Sequence, residues 1–180
     1  MFKIESKQKD IAVFGAGCFW CTEAVFQNLN GVSVVLPGYT GGDLQNPSYE
    51  QVSSGSSGHV EAAKIEFDPG IISFKQLLEV FFAVHDPTTL NRQGNDAGEQ
   101  YQSAIFYTSE NQKQIALNII REVDGEKIYN SPIVTKVRPL KKFYVAENYH
   151  QNYYINNPGN PYCAVVIDPK VQKLRAKFTH

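Results

Sequence analysis

Gly15-Ala16-Gly17-Cys18-Phe19-Trp20-Cys21 joins two segments of different pattern. The apolar run at residues 11–14 before it predicts a strand, and the apolar spacing over residues 22–29 after it predicts a helix. The stretch therefore predicts a strand, a glycine turn and the first turn of a helix. We expect the glycines to let a substrate approach the backbone closely, since they carry no side chain.

Cys18 is the first candidate for chemistry in this turn. A cysteine at a helix N-terminus lies near unpaired N–H groups and the positive end of the helix dipole. That environment favours the thiolate, so Cys18 is predicted to be a nucleophile. Cys21 follows three residues later, on the same helix face, where a disulfide or sulfur exchange is geometrically possible. The alternative is a buried apolar turn with an incidental Cys-x-x-Cys.

Zinc is a weaker interpretation of the two cysteines. A structural zinc site takes about four ligands, and only Cys163 and scattered histidines remain to supply them. No metal site is therefore predicted.

Length and composition limit the class of protein. The chain has 180 residues, of which 42% are hydrophobic and 19% charged, which predicts a single globular domain over residues 1–180. The net charge of -1 argues against nucleic acid as a partner, because phosphate-backbone binding needs a basic surface. No stretch is long and apolar enough to span a bilayer, so no membrane partner is expected.

Cellular location is inferred from the N-terminus and the cysteines. Residues 1–7 lack the apolar core of a secretory signal. Three cysteines are too few, and of the wrong parity, for a secreted disulfide scaffold. We therefore expect a cytoplasmic protein.

The rest of the chain alternates between strands and helices. Strands are predicted at residues 32–36, 60–67, 104–107 and 133–139, and helices at 74–84, 110–123 and 144–156. Long loops are predicted at residues 37–59 and 88–102, and a solvated helical face in the basic tail at 170–177. This order predicts an α+β fold: a two-layer sandwich with a mixed sheet flanked by helices, long loops and an irregular C-terminal tail.

Glu61 is the second candidate for chemistry. It alternates in phase with Ala63, Ile65 and Phe67, so it points toward the apolar side of its strand. Burial raises the pKa of a carboxyl group, which then stays protonated near neutrality and can act as a general acid. The alternative is that Glu61 turns to solvent at the strand end.

Other candidates lie on the loops and on the first helix. Tyr49 and Tyr101 lie at the ends of the two loops, where phenols could donate to an oxygen that gains charge, although core packing is the simpler role. Asp96 lies between glycines and is a turn residue unless it has a partner. Phe19 and Trp20 could line an apolar pocket beside the thiolate or simply pack the first helix.

Taken together, these motifs resemble peptide methionine sulfoxide reductase A. The resemblance runs in order from about residue 13 to residue 163. The matching motifs are Gly17-Cys18-Phe19-Trp20-Cys21, Gly38-Tyr39-Thr40-Gly41-Gly42, Asn46-Pro47-Ser48-Tyr49, Gly58-His59-Val60-Glu61, His85-Asp86-Pro87, Arg92-Gln93-Gly94-Asn95-Asp96 with Gln100-Tyr101, and His150-Gln151-Asn152-Tyr153-Tyr154.

The resemblance implies an α+β fold with a ferredoxin-like core and a role for each candidate residue. The implied roles are the nucleophile for Cys18, the acid that protonates the sulfoxide oxygen for Glu61, hydrogen bonding to that oxygen for Tyr49 and Tyr101, substrate recognition and support for Asp96, and the S-methyl pocket for Phe19 and Trp20.

The implied activity is protein repair after oxidative damage. The substrate is the S epimer of methionine sulfoxide, free or in proteins, and the reaction passes through a sulfenic acid on Cys18. A second thiol then forms a disulfide with Cys18, and an external dithiol, by resemblance thioredoxin, restores it. The resemblance implies no metal and no organic cofactor, and we expect a monomer.

The resolving cysteine is where the chain departs from the family pattern. Many members have glycine at the position of Cys21 and resolve the sulfenic acid with cysteines in a glycine-rich tail. This tail has one cysteine, Cys163, and no glycine-rich run. Either cysteine could resolve Cys18, or both in relay; Cys21 is preferred because it needs no movement of the tail. Cys163 could also be merely a buried small hydrophobe.

Two other functions remain open at this stage. A general thioredoxin-like dithiol oxidoreductase would use Cys18 and Cys21 and need no role for Glu61. A non-enzymatic module would use Trp20 and the tyrosines to bind a methionine-containing peptide.

Overall fold

A computed structural model describes residues 8–178; the expectation about a leader sequence concerns residues 1–7, which lie outside the described residues. The strands are β1 (Asp10–Ala16), β2 (Val32–Thr40), β3 (Val60–Phe67), β4 (Arg92–Gln93), β5 (Asp96–Ala97), β6 (Ser103–Tyr107), β7 (Lys136–Pro139) and β8 (Phe143–Val145). The helices are α1 (Phe19–Phe26), α2 (Tyr49–Ser53), α3 (Phe74–Val84), α4 (Glu110–Gly125), α5 (Tyr153–Asn156) and α6 (Asp168–Phe178). Short 3₁₀ turns cover Glu99–Tyr101 and Asn148–His150, and a π-helical turn covers Cys163–Ile167.

The main sheet has a ferredoxin-like core. Within residues 8–178 it contains six strands in the order β7-β6-β1-β3-β2-β8, while β4 and β5 form a separate hairpin. The β6–β7 pair is parallel, and the other pairs of the main sheet are antiparallel. The run β1-α1-β2-β3-α3-β6 with spatial order β6-β1-β3-β2 is the ferredoxin-like arrangement. The predicted mixed sheet and ferredoxin-like core are therefore confirmed.

Helices cover one face of the sheet, as the alternation of β3 predicts. Ala63, Ile65 and Phe67 of β3 pack into a cluster with the apolar side of α3, including Leu77 and Phe81. A capping box formed by Ser73 and Gln76 begins α3, as predicted. Each fully buried Leu or Phe contributes about 2 kcal/mol, so this layer anchors the strand that carries Glu61.

The predicted loop at residues 37–59 is more ordered than expected. Strand β2 continues to Thr40 because Gly38–Thr40 pairs with β3 on one side and β8 on the other. Helix α2 follows, started by a capping box between Ser48 and Gln51 that the sequence analysis did not use. His59 then holds the segment in place: its Nδ1 accepts the Gly42 N–H at 3.1 Å and its Nε2 lies 2.7 Å from the Leu44 carbonyl oxygen.

Two predictions about the C-terminal part are wrong. Residues 144–156 are not one helix: they contain the end of β8, a 3₁₀ turn and the short α5. Asn152 has φ 55°, a left-handed conformation that no continuous helix allows. The tail from Cys163 to Phe178 is helical rather than irregular, because Ile167, Val171 and Leu174 form a buried stripe. The helical face predicted at residues 170–177 is confirmed by α6.

No helix within residues 8–178 combines the length and apolar content that crossing a bilayer requires.

Candidate active site

The glycine turn places Cys18 as predicted. Strand β1 ends at Ala16, Gly17 has φ 86°, and Cys18 is the N-cap residue of α1. The expectation that the glycines make room for substrate is wrong. A Cβ at Gly17 would lie 2.6 Å from the Cβ of Gln93, so the β4–β5 hairpin fills that space.

The Cys18 thiol is buried, with 7% of the residue exposed. Burial raises the pKa of Cys18 well above its ordinary value, and the neighbouring Cys21 raises it further. A hydrogen bond with Tyr162 lowers this pKa but does not offset the burial. The predicted low pKa of Cys18 is therefore wrong: the helix N-terminus is present, but desolvation outweighs it.

Cys21 carries the lower pKa of the pair. The hydrogen bond from Cys18 lowers the pKa of Cys21 to about 7, and the charge of Lys170 lowers it as well. Its Sγ lies 3.9 Å from the Tyr162 hydroxyl oxygen. Cys21 is therefore the thiol of the pair that ionises more readily, and the Cys18 thiol donates the hydrogen bond between them.

Glu61 is buried as the alternation predicted, with 2% exposed. Its Oε2 accepts the backbone N–H of Phe19 at 3.1 Å, which ties the carboxyl group to the residue that follows Cys18. Burial raises the pKa of Glu61 to about 8, despite the opposing effect of the Phe19 hydrogen bond. Glu61 is therefore mostly protonated at neutral pH and can donate a proton next to Cys18.

Both predicted tyrosines lie in the same electrostatic environment. Tyr49 is the first residue of α2 and Tyr101 the last residue of the 3₁₀ turn before β6. Burial raises the pKa of each phenol, and the charges of Glu61, Asp96 and Cys18 raise it further. Both phenols therefore remain protonated hydrogen-bond donors at physiological pH.

Asp96 has the partner that its position alone did not reveal. It lies on β5, and its Oδ2 accepts a hydrogen bond of 2.8 Å from the Tyr162 hydroxyl. The same hydroxyl is in contact with Cys21. Tyr162, which the sequence analysis treated only as part of the tail, thus connects the β4–β5 hairpin to the cysteine pair.

Trp20 is held by side chains from the C-terminal part. Its ring stacks on the ring of Tyr153 with 3.7 Å between centroids and 5° between planes. Its Nε1–H donates to Nδ1 of His150 at 3.0 Å, and Tyr162 meets it edge-on at 5.8 Å. Trp20 is half-buried, whereas Phe19 is 1% exposed and packs against Tyr39. Trp20 is thus the more accessible of the two predicted pocket residues.

The three cysteines lie in one cluster. Cys18, Cys21 and Cys163 pack together with Ile167 and Val171, and all three are free thiols. Burial raises the pKa of Cys163. The helical tail therefore places Cys163 near Cys18 and Cys21. This weakens the argument for Cys21 as the resolving cysteine, which assumed that the tail would have to move before Cys163 could react. In residues 8–178 no group of three or more His, Cys, Asp or Glu side chains could hold a metal ion.

Sequence reasoning gave no role to Tyr162, or to His150 and Tyr153 individually. They lie more than 100 residues from the turn that they contact. The motif at residues 150–154 was noted, but local spacing could not show that it covers Trp20.

Comparisons with known proteins agree with this geometry. A family model described as Peptide methionine sulfoxide reductase matches residues 10–180. The Peptide methionine sulfoxide reductase MsrA of Chromobacterium violaceum is 54% identical over 169 residues, covering 94% of this chain and 96% of that protein. The protein of the same name from Deinococcus radiodurans is 55% identical over 167 residues, covering 93% of this chain and 81% of that protein.

Solved structures give the same result. Reduced Mxr1 from Saccharomyces cerevisiae superposes with a TM-score of 0.81 at 32% identity, covering 89% of this chain and 92% of that one. Mxr1 in complex with Trx2 superposes with a TM-score of 0.58 at 22% identity, covering 85% and 90%, a likeness of fold alone.

Proposed function

The chain belongs to the peptide methionine sulfoxide reductase family, and we propose on that premise that Cys18 attacks the sulfur of methionine sulfoxide while Glu61 protonates its oxygen. The observation that carries the proposal is the position of Glu61. A buried carboxyl group with a pKa of about 8 is hydrogen-bonded to the residue next to the nucleophile. An oxygen leaves a sulfoxide only when it is protonated, so this acid is what the reaction requires.

The proton of Cys18 has an acceptor in Cys21. As Cys18 attacks, its proton passes to the Cys21 thiolate, with which it shares a hydrogen bond. The proton of Glu61 passes to the sulfoxide oxygen at the same time. The attack forms a bond between the Cys18 sulfur and the substrate sulfur. The protonated oxygen then moves to the Cys18 sulfur as its bond to the substrate sulfur and the sulfur–sulfur bond break, so methionine leaves and Cys18 becomes a sulfenic acid. The sulfoxide sulfur gains two electrons and the Cys18 sulfur loses two.

Tyr49 and Tyr101 stabilise the oxygen during this step. Both phenols stay protonated, so both can donate hydrogen bonds to an oxygen that gains negative charge. Trp20 and Phe19 form the apolar wall that receives the S-methyl group. Asp96 supports the site through its hydrogen bond with Tyr162.

Cys21 is proposed to resolve the sulfenic acid. Cys21, which carries the proton taken from Cys18, attacks the Cys18 sulfur as that proton passes to the leaving hydroxide, so a disulfide forms and water leaves. A thiol whose pKa is near the ambient pH is well suited to such an attack, and the pKa of Cys21 is about 7. Cys163, in the same cluster, remains the alternative or the second member of a relay.

An external dithiol supplies the two electrons that reduce the disulfide. We propose thioredoxin as this dithiol; Mxr1, a protein with this fold, has been solved in complex with Trx2. No metal or organic cofactor is needed for any step. We further propose that the enzyme is a cytoplasmic monomer that acts on the S epimer, both free and in proteins.

A general dithiol oxidoreductase is the less favoured reading, because it gives no role to Glu61. A peptide-binding module without catalysis is disfavoured for the same reason.

The test of function uses the two epimers of a methionine sulfoxide peptide with dithiothreitol as reductant. The wild type is expected to reduce the S epimer and leave the R epimer, and Cys18→Ser is expected to reduce neither. Turnover of both epimers at one rate, or activity that survives Cys18→Ser, would contradict the proposal.

A further inference from the structure

Glu23 is a buried carboxyl group that the mechanism above does not use. It lies in the middle of α1 with 1% exposed. Its two oxygens accept the backbone N–H groups of Asn152 at 3.0 Å and Tyr153 at 3.2 Å. These two residues begin the segment that lies over α1 more than 120 positions later in the chain.

The anchored segment carries the ring that covers Trp20. Asn152 has a positive φ of 55°, and the next residue, Tyr153, begins α5. The Tyr153 ring lies parallel to the Trp20 ring at 3.7 Å. Trp20 and Glu23 are three positions apart on α1, so they project from neighbouring points of the same helix. One helix therefore carries both the indole and the carboxylate that fixes what lies on the indole.

We propose that Glu23 is a positioning residue for the pocket that receives the S-methyl group of the substrate. By accepting two N–H groups at Asn152 and Tyr153, Glu23 fixes the Tyr153 ring and, through it, the Trp20 ring. The assignment rests on the proposed function in one respect, the role of Trp20 as a wall of that pocket. It adds to that function a residue that touches neither substrate nor the reacting sulfur.

Burying the Glu23 carboxylate costs free energy, although it holds two backbone N–H groups. Burying it without a cation is unfavourable, and burial raises the pKa of Glu23 to about 7. Glutamine has only one acceptor oxygen, so it could satisfy one of the two N–H groups and would direct its own N–H₂ toward the other. Two acceptors at fixed positions are what the carboxylate supplies and what its neutral isostere lacks.

The first experiment uses the fact that Trp20 is the only tryptophan of the chain. Its fluorescence therefore reports the stacked pair without a contribution from other indoles. Glu23→Gln is expected to change the intensity and wavelength of this emission with no substrate added. The control is Gln27→Ala, because Gln27 follows the last residue of α1, one turn after Glu23, and its side chain donates a hydrogen bond of 2.8 Å to the Asn152 side chain rather than accepting a backbone N–H. Unchanged emission in Glu23→Gln, or an equal change in Gln27→Ala, would overturn the assignment.

The second experiment measures single-turnover rates against the concentration of a methionine sulfoxide peptide. The methyl group meets Trp20 in the ground state and the transition state alike, so loss of this contact raises the half-saturation concentration and spares the maximal rate. We expect Glu23→Gln to raise that concentration about fivefold or more, with the maximal rate within about twofold of wild type. A fall in the maximal rate alone would overturn the assignment.

A double-mutant cycle identifies the route of the effect. If Glu23 acts through Tyr153, then Glu23→Gln should add almost nothing to Tyr153→Ala. Additive effects would overturn the assignment. If Glu23→Gln does not fold, the assignment is overturned by a Tyr153→Ala variant whose Trp20 emission and half-saturation concentration match those of the wild type. The fluorescence measurement needs no turnover. It therefore tests the role of Glu23 separately from the proposed enzymatic function.

Discussion

Replacing Glu61 with glutamine removes an acidic proton from the site and changes little else. The amide oxygen can still accept the Phe19 N–H that now lies 3.1 Å from Oε2. The side-chain volume is conserved, so the buried position does not gain a cavity. Any loss of activity in Glu61→Gln therefore reports the missing acid.

The size of the loss follows from the state of the carboxyl group. With a pKa of about 8, roughly nine-tenths of Glu61 is protonated at pH 7. General acid catalysis contributes about 100-fold to 10,000-fold, so we expect Glu61→Gln to slow methionine formation by a factor in that range. Single-turnover assays with a methionine sulfoxide peptide measure this step without the reductant.

The pH profile provides a second readout of the same residue. The acid works while it is protonated, so the rate of the wild type should fall as pH rises through about 8. Glu61→Gln has no proton to lose there, and its residual rate should lack this fall. The control is Glu66→Gln on the same strand, since Glu66 is partly exposed and its Oε2 lies 3.9 Å from Lys9 Nζ.

The same substitution should stabilise the protein at neutral pH. An unfolded glutamate has a pKa of about 4.3, whereas folded Glu61 has a pKa of about 8. Between these values the unfolded chain binds fewer protons, so the free energy of unfolding falls as pH rises. From pH 5 to pH 7 the wild type should lose about 2 to 3 kcal/mol relative to Glu61→Gln, as measured by urea unfolding. An unchanged turnover rate in Glu61→Gln, or a variant profile that still falls near pH 8, would refute Glu61 as the acid.

The remaining predictions concern the cysteines, the hairpin and the core. Cys21→Ser should slow steady-state turnover with thioredoxin yet still reduce one sulfoxide per enzyme; a disulfide that contains Cys163 while Cys21 stays free, seen by mass spectrometry, would contradict this. Asp96→Asn weakens the hydrogen bond from Tyr162 by about 1 kcal/mol and should lower kcat/KM roughly fivefold; in a Tyr162→Phe background, which lacks that bond, it should have no further effect. His85 is buried with a pKa lowered to about 4, so the unfolded chain binds more protons below about pH 6.5. The wild type should therefore lose about 2 kcal/mol of unfolding free energy from pH 7 to pH 5 relative to His85→Gln.

Residues whose environment is set locally could be predicted from the sequence. Cys18 follows a strand and a glycine turn, and Glu61 lies in a strand whose alternation fixes its face. Both features depend on a few neighbouring residues. The helical face at residues 170–177 was predicted, and the earlier start of the helical tail could have been predicted as well, because the buried stripe of Ile167, Val171 and Leu174 has spacings of four and three.

The rest depends on contacts between distant segments. Tyr162 reaches Asp96 across 66 positions and Cys21 across 141, and no local periodicity contains that information. The pKa of Cys18 likewise depends on how deeply the folded chain buries the Cys18 thiol. The helix predicted over residues 144–156 does not begin at residue 144, because Tyr144 and Val145 pair with β2 at the sheet edge, a tertiary effect that overrides local preference.

The hydrogen bond from Phe19 to Glu61 has a mechanical consequence. The acid belongs to a central strand of the sheet and the nucleophile to the cap of α1. The bond joins the acid to the peptide unit directly after Cys18, so any movement of α1 away from β3 must stretch it. One hydrogen bond thus fixes the spacing of two reacting groups that the chain separates by more than 40 positions.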